Sequence, residues 1–162
     1  MQILVTGGAG FIGTNLIKEL SSYHTIVSID DYSTGKEENH IDGVKYINGD
    51  ISDLMDHIAT LSTPYYQPDV VFHLAAKARI QPSFETPKDY IKTNFNGTYN
   101  MVQFCTNREI PLIYAGSSSH HSGKFKNPYT FSKDMGEEII QLYTKNFGLK
   151  ATIARFYNVY GP

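Results

Sequence analysis

The sequence is poor in cysteine, tryptophan and net charge. Its single cysteine, Cys105, excludes an intramolecular disulfide, and the neighbours Met101, Val102 and Phe104 predict that the thiol is buried. The formal net charge is −2, and the lysines are scattered rather than gathered into a polybasic stripe. We therefore expect neither nucleic acid nor anionic lipid as a partner.

Long apolar runs are also absent. No run is long enough to span a bilayer, and the first residues lead straight into a predicted strand, so no signal peptide or membrane partner is expected. The 162 residues, 41% of them hydrophobic and 19% charged, suffice to bury one core. These properties predict a cytoplasmic chain with one domain over residues 1–162.

Apolar runs with strand character alternate with stretches of helical periodicity. Strands are predicted at residues 2–6, 25–29, 44–47, 69–74, 111–115 and 151–156, and helices near residues 11–21, 53–61, 88–107 and 131–147. The connection at residues 31–43 has the composition of a loop. This alternation predicts an α/β fold, a Rossmann-like doubly wound parallel sheet with helices on both faces.

A glycine-rich run, TGGAGFIG at residues 6–13, directly follows the first predicted strand. A strand that turns through glycines into a helix directs backbone N–H groups and the positive helix end at one spot, where a phosphate fits. Glycines alone more often make a turn or loop, but the strand before and the amphipathic stretch after favour a phosphate site. We predict that Gly7, Gly10 and Gly13 hold a pyrophosphate.

An acidic pair ends the second predicted strand, roughly 20 residues after the glycine run. A carboxylate there accepts hydrogen bonds from the adenosine ribose of NAD and repels the extra phosphate of NADP. Asp30 is the predicted ribose ligand, with Asp31 beside it, and NAD is the expected cofactor. A solvated turn before Ser33 is the alternative, and the spacing behind the glycines favours the cofactor.

Tyr129 and Lys133 are four residues apart on a predicted helix that Pro128 helps to start, so they share a face. A free tyrosine has a pKa of about 10, and a nearby ammonium favours its phenolate. Tyr129 can then exchange a proton with a substrate hydroxyl while NAD exchanges the hydride. An isolated pair of this kind is more often structural, so the prediction depends on the other motifs.

Taken in order, these segments resemble the extended short-chain dehydrogenases/reductases of the NAD-dependent nucleotide-sugar epimerase and dehydratase group, UDP-glucose 4-epimerases included. Further matching segments are Gly49-Asp50-Ile51, HLAA at 73–76, Asn94 with NGT at 96–98, SSS at 117–119 and RFYNVYGP at 155–162. The resemblance implies a cofactor-binding set of Gly7, Gly10, Phe11, Ile12, Gly13, Asp30, Asp31, Asp50, Ile51, Leu74, Ala75, Ala76, Asn94, Ser117, Tyr129, Lys133 and Phe156.

The same resemblance implies roles in the serine segment. Alignment on Gly123 puts Ser118 at the family's catalytic hydroxyl, beside Tyr129 and Lys133, and the implied substrate-binding residues are Ser118, Ser119 and Asn158. Family dehydratases carry an acidic pair just after the catalytic position, where this chain has Ser119 and His120. Epimerisation or reduction is therefore favoured over dehydration.

The sequence departs from the family pattern at Ser122, where tyrosine is usual, and at Gly116, where serine is common. Adjacent His120 and His121 point in different directions and lack further ligands at metal-binding spacing, so no metal is expected. The departures at Ser122 and Gly116 both lie on the substrate side of the predicted site.

Family members continue past the RFYNVYGP segment into a C-terminal region that closes over the nucleotide sugar. The chain is therefore expected to be the NAD-binding, catalytic portion of a nucleotide-sugar epimerase, with the C-terminal substrate-binding region absent. A nucleotide-sugar reductase or dehydratase is one alternative, and a non-catalytic NAD-binding or dimerisation module is another. The resemblance implies a homodimer through the helices near 88–107 and 131–147. The apolar residues of these helices either form the seam or face the sheet, as some of them must: Tyr90, Met101, Phe104, Met135, Ile139, Leu142 and Tyr143.

Overall fold

Six parallel strands form one sheet in the computed structural model, which describes residues 1–53 and 67–161. The strands are β1 (Gln2–Thr6), β2 (Thr25–Asp30), β3 (Lys45–Asn48), β4 (Val70–His73), β5 (Leu112–Ser117) and β6 (Ala151–Phe156). Their order across the sheet is β3-β2-β1-β4-β5-β6, and each neighbouring pair is parallel. The predicted Rossmann-like fold is confirmed.

The α-helices among the described residues are α1 (Phe11–Leu20), α2 (Gln81–Glu85), α3 (Pro87–Tyr90), α4 (Thr98–Asn107) and α5 (Pro128–Phe147). Short 3-10 turns cover Glu37–Asn39, Ile51–Asp53 and Ser118–Ser122. The helix predicted near 53–61 lies outside the described residues apart from Asp53. Within the described ranges, no helix combines the length and apolar character needed to cross a membrane.

The stretch predicted as a single helix at 88–107 has three parts. After α3 the chain forms a π-helical segment, Ile91–Gly97, and only then continues as α4. A π-helix widens the hydrogen-bonded turn by one residue, and such segments are frequent at functional sites. Apolar periodicity predicts that a helix exists but does not report this change of pitch.

Helix α5 begins three residues before its predicted start. The Asn127 side chain accepts a hydrogen bond from the Thr130 backbone N–H at 2.8 Å, and Pro128 occupies the first turn. The helix ends at Gly148, whose φ of +75° is left-handed. These caps place Tyr129 in the first turn of α5, close to the end of β5.

The sheet separates two apolar clusters. Ile3 and Val5 face α1 and contact the cluster around Ile17, whereas Leu4 faces the other side, where α4 and α5 pack. The alternation along β1 follows the two-residue repeat of a strand and confirms helices on both faces. Cys105 lies in the second cluster, as predicted, and burial raises the pKa of its thiol to about 12.

Two glycines permit close packing of the backbone beside β1. Gly7 has a φ of +76°, and a Cβ there would lie 2.7 Å from the Ala75 backbone nitrogen. A Cβ on Gly13 would collide with the Gly7 carbonyl oxygen and lie 2.6 Å from Gly8 Cα. The start of α1 therefore packs directly on the turn after β1, and that turn packs on the segment after β4.

We expect Gly13→Ala to lower the free energy of unfolding by about 1–3 kcal/mol, because backbone atoms must move to admit the methyl group. Gly10→Ala is the matched control, since a Cβ there meets its nearest atom, the Gly7 oxygen, at 3.4 Å. Urea denaturation of the two variants and the unmodified chain makes the comparison. Equal stability of the two variants would contradict the close-packing argument.

Candidate functional site

A cavity of about 430 Å³ lies at the carboxyl ends of the central strands, within the size range of small-ligand sites. Most of the predicted cofactor residues line it: Gly7, Gly10, Phe11, Ile12, Gly13, Asp30, Asp31, Asp50, Ile51, Leu74, Ala75 and Ala76. The glycine run, the end of β2 and the segment after β4 are far apart in sequence. Parallel strand order brings them to one edge of the sheet, where ligands of such sheets bind.

The two acidic residues after β2 have different local roles. Asp30 is 7% exposed, and its carboxylate accepts hydrogen bonds from the backbone N–H groups of Ala9 and Tyr32, both at 2.9 Å. Asp31 accepts from the backbone and hydroxyl of Ser33, which closes a turn. Asp30 thus ties β2 to the glycine run, and its oxygens keep lone pairs for a ligand hydroxyl.

Asp50 forms a third acidic position on the cavity wall. Burial opposes its ionisation, but hydrogen bonds from Ser52 and from the Lys92 ammonium dominate and lower the pKa of its carboxyl group. The Lys92 nitrogen lies 3.1 Å from Asp50 and 3.2 Å from Asp53. This ion pair fixes the turn at Ile51–Asp53 beside the π-helical segment.

Several lining residues were not predicted from the sequence: Ile29, Ser33, Thr34, Gly49, Lys77, Ala78, Arg79, Thr93 and Val159. Lys77 and Arg79 are the most informative of them because they bring positive charge to a cavity that faces the N-terminus of α1. Arg79 also has a φ of +78°, which is uncommon for a residue with a side chain. Their position just after HLAA was the signal in the sequence that could have marked them as cavity residues.

Asn94, a predicted cofactor ligand, lies behind the cavity wall. Its side chain is fully buried; Oδ1 accepts from the Lys77 backbone N–H at 2.7 Å, and Nδ2 donates to the Lys77 carbonyl and the Ser132 hydroxyl, both at 3.0 Å. Both amide hydrogens are therefore used within the protein. Asn94 holds the backbone of a lining residue and connects it to α5.

Tyr129 meets the end of β5 through Ser117. The tyrosine hydroxyl is hydrogen-bonded to Ser117 Oγ at 3.1 Å. The same oxygen accepts from the Ser119 backbone N–H at 3.2 Å and lies 2.9 Å from the Ser119 hydroxyl. The Tyr90 ring packs edge-on against Tyr129, with centroids 6.3 Å apart. Of the serines expected near the tyrosine, the structure brings Ser117 to it, and Ser118 begins the following 3-10 turn.

Lys133 lies on α5 one turn after Tyr129, as predicted. Its side chain is buried, and Nζ lies 4.3 Å from the centre of the Tyr114 ring in a cation–π contact. Burial lowers the pKa of Lys133 to about 7, and the negative charge of Glu137 opposes that shift. The ammonium that would favour the Tyr129 phenolate is therefore partly deprotonated at neutral pH.

A charged cluster connects the serine segment to α5. His120 Nδ1 lies 2.9 Å from the Asp134 carboxylate, and the Arg155 guanidinium contacts both oxygens of Glu137, the shortest distance being 2.6 Å. Ligand atoms of His120, Asp134 and Glu137 all lie within 4.8 Å of one another, a grouping not predicted from the sequence. Because Arg155 already neutralises Glu137, the described contacts favour an ion-pair cluster.

The remaining predicted residues lie beside the cavity rather than in it. Phe156 lines a second, largely apolar cavity of about 610 Å³ on the α1 side of the sheet, and Phe11, Ile12 and Leu74 line both cavities. Asn158 is exposed just beyond β6.

Several residues expected in the homodimer seam are instead buried in the core of this chain. Tyr90, Met101 and Phe104 are at most 3% exposed, so they pack inside this chain, which corrects that part of the expected seam. Met135, Ile139 and Tyr143 are half-buried, and Leu142 is exposed on α5. The homodimer itself stays a prediction.

The chain matches the family model described as NAD dependent epimerase/dehydratase family over residues 3–162. It is 32% identical to the putative UDP-glucose 4-epimerase of Methanocaldococcus jannaschii over 99% of this chain and 56% of that protein. Protein CapI of Staphylococcus aureus is 32% identical, with coverage of 100% and 55%. The chain thus spans just over half the length of these relatives.

Solved structures of UDP-glucose 4-epimerases are also similar to this chain. UDP-glucose 4-epimerase of Thermotoga maritima, crystallised with UDP-glucose, superimposes with a TM-score of 0.92 at 29% identity. The UDP-glucose 4-epimerase of Thermus thermophilus in complex with NAD superimposes with a TM-score of 0.89 at 30% identity. In both comparisons the match covers 100% of this chain and 57% of the other.

The pKa of Lys133 predicts a pH-dependent stability. Its folded value of about 7 lies below the ordinary 10.5, so the folded state binds fewer protons between these values. The free energy of unfolding is therefore highest above about pH 10.5. It decreases by up to about 1.4 kcal/mol per pH unit as the pH falls towards 7. We expect Lys133→Met to remove this slope, which urea denaturation between about pH 7 and 8 measures, below the range in which Cys105 ionises in the unfolded chain.

Lys126→Met is the matched control, because Lys126 is an exposed lysine just before α5. It should leave the pH dependence of the unfolding free energy unchanged. A wild-type slope that survives Lys133→Met would show that Lys133 is not the buried titrating group.

Proposed function

Because this chain belongs to the NAD-dependent epimerase/dehydratase family, we propose that it is the NAD-binding, catalytic portion of a nucleotide-sugar epimerase. The observation that carries the proposal is the shared sheet edge: the glycine-lined cavity and the Tyr129–Ser117 hydrogen bond both lie at the carboxyl ends of parallel strands. One edge thereby holds groups suited to a dinucleotide and a group suited to proton transfer.

The described residues fit NAD. Side chains at Gly7 and Gly13 would fill space that the backbone needs for close approach, and the N-terminus of α1 offers N–H groups to a pyrophosphate. Lys77 and Arg79 would add positive charge opposite those phosphates. Asp30 would accept hydrogen bonds from the adenosine ribose.

The rest of the predicted set would surround the other parts of the cofactor. Asp50 and Ile51 would border the adenine, and Leu74 to Ala76 would line the cofactor along its length. Lys133 would hold the nicotinamide ribose, and Phe156 would lie near the nicotinamide.

The proposed chemistry is transient oxidation at C4 of the sugar. Tyr129 takes the proton of the 4-hydroxyl, with Ser117 orienting its phenol and Ser118 bonding the sugar oxygen. Bound NAD supplies the reversible acceptor for the C4 hydride. Lys133, whose pKa lies near neutrality, favours the phenolate when charged. Return of the hydride to the other face of the rotated keto sugar, with the proton returned from Tyr129 to the sugar oxygen, would invert C4. Asn158 would lie near the substrate diphosphate.

Epimerisation is favoured over dehydration by the side chains after Ser118. Loss of water needs a proton donor at the leaving hydroxyl, and the acidic pair of family dehydratases is replaced here by Ser119 and His120. His120 Nδ1 is hydrogen-bonded to Asp134, which holds the ring against α5. The similar proteins include both UDP-glucose 4-epimerases and dTDP-glucose 4,6-dehydratases, so the choice of reaction rests on these side chains.

The cofactor assignment predicts NAD binding that depends on Asp30. We expect Asp30→Asn to weaken NAD binding about tenfold, because a charge-assisted hydrogen bond to the ribose becomes a neutral one. NADP should bind the unmodified chain less tightly than NAD, and Asp30→Asn should narrow that difference. Isothermal titration calorimetry measures both affinities.

Asp42→Asn, at an exposed acidic residue away from the cavity, controls for net charge. It should bind NAD as the unmodified chain does. A folded, unmodified chain that fails to bind NAD would refute the proposed function as a whole.

The catalytic assignment predicts distinct effects for the two serines in a UDP-glucose/UDP-galactose interconversion assay. Ser117→Ala should lower kcat about tenfold with KM nearly unchanged, because it loses one hydrogen bond that orients Tyr129. Ser118→Ala should change both kcat and KM, because that hydroxyl contacts the sugar. Tyr129→Phe should lower kcat by about 10²–10⁴-fold.

Tyr23→Phe, at a tyrosine that is 81% exposed, is the matched control and should leave both constants unchanged. Tyr129→Phe with unaltered kcat would exclude Tyr129 as the acid–base group. NAD binding without any interconversion would favour the non-catalytic NAD-binding module.

A further inference from the structure

A buried chain of hydrogen bonds crosses the core directly behind the proposed NAD cavity. Its members are Thr6 at the end of β1, His73 at the end of β4 and Thr98 at the start of α4, each at most 1% exposed. Thr6 Oγ1 lies 2.7 Å from His73 Nδ1, and His73 Nε2 lies 3.0 Å from Thr98 Oγ1. No role was assigned to His73 by the sequence motifs.

The direction of each hydrogen bond follows from the other hydrogen bonds that Thr98 and Thr6 make. Thr98 donates its only hydroxyl proton to the Asn94 carbonyl at 2.7 Å, so it accepts a hydrogen bond from His73 Nε2–H. A neutral imidazole with Nε2 protonated has an acceptor at Nδ1, which accepts a hydrogen bond from the Thr6 hydroxyl. Thr6 Oγ1 in turn accepts from the Ala75 backbone N–H at 3.2 Å.

The surroundings keep His73 neutral. Burial and the positive charge of Lys133 on α5 lower the pKa of His73 to about 3. The Tyr114 ring of β5 packs against the imidazole with centroids 5.7 Å apart. Protonation would turn Nδ1 into a donor and break the alignment with Thr6, so one tautomer alone satisfies the whole chain.

Both ends of the chain meet the cavity wall. At one end is the backbone of Ala75, a lining residue. At the other end is Asn94, whose side chain holds the N–H and the carbonyl of Lys77, a second lining residue. The segment after β4 is thus fixed at two points by groups that do not themselves line the cavity.

We propose that His73 is a positioning residue: its Nε2–H tautomer fixes the segment from Leu74 to Lys77 in the conformation that receives the cofactor. The inference rests on the proposed NAD site and adds to it an element that contacts no ligand. Thr6 and Thr98 hold the imidazole from β1 and α4, so the geometry of the segment derives from the rigid core.

The tautomer can be read directly in the unliganded chain. Two-dimensional ¹H–¹⁵N spectra of the histidine rings should show His73 with a protonated Nε2 and an unprotonated Nδ1, unchanged from pH 8 to about 5 because the group is buried. A protonated Nδ1, or titration near the ordinary pKa of about 6.5, would overturn the proposal. This measurement needs neither a variant nor NAD.

Thr98→Val and Thr98→Ser test the link to the cavity. Valine removes the hydroxyl at nearly equal volume and should weaken NAD binding about tenfold, with faster amide exchange at Lys77. Serine keeps the hydroxyl and should bind NAD within about twofold of the unmodified chain. A purely structural role would lower the melting temperature of Thr98→Val without changing its NAD affinity or the exchange at Lys77, and that result would overturn the proposal.

The two proposals fail differently. If the unmodified chain binds no NAD, the proposed function falls, while the ring spectra and the exchange at Lys77 still decide the role of His73. If the chain binds NAD and folded Thr98→Val binds it equally well, only the positioning role falls. If Thr98→Val does not fold, the ring spectra of the unmodified chain decide.

Discussion

The contact between the glycine run and the segment after β4 determines where the other parts of the site lie. Gly7 brings backbone to within ordinary contact of Ala75, where a side chain would be 2.7 Å from a main-chain nitrogen. Gly13 lets α1 begin directly against the same turn. The N-terminus of α1 thereby faces the cavity, and a bulkier residue at either glycine would separate this helix end from the rest of the wall.

Around that contact, polar groups inside the protein hold the loops. Asp30 bonds the Ala9 backbone, and Asn94 bonds both backbone groups of Lys77. Loops at the end of a sheet are its most mobile parts unless their backbone is tied down. Here each tie uses a buried side chain, and a buried polar group is costly to leave unpaired, so alternative loop conformations are strongly disfavoured.

The sequence predicted the sheet and its ligand-binding edge, because strand alternation and the glycine run are local signals. Much of the rest of the cavity wall was predicted from the family resemblance. The sequence did not predict that Ser117 contacts Tyr129, that Asn94 turns away from the cavity, or that His120 pairs with Asp134. Each of these depends on the relative placement of β5, α5 and the π-helical segment. The spacing of Tyr129 and Lys133 gave their common helix, but the depth at which Lys133 is buried depends on tertiary packing.

At that depth, two opposing effects act on the pKa of Lys133. Removal from water disfavours its ammonium, whereas the Glu137 charge and the face of the Tyr114 ring favour it. Desolvation dominates, since the pKa falls to about 7 rather than rising. The Arg155 guanidinium pairs with Glu137, so less of the negative charge of Glu137 acts on Lys133. Arg155 therefore contributes to the low pKa of Lys133. A small electrostatic change beside Lys133 therefore alters its charge near neutral pH.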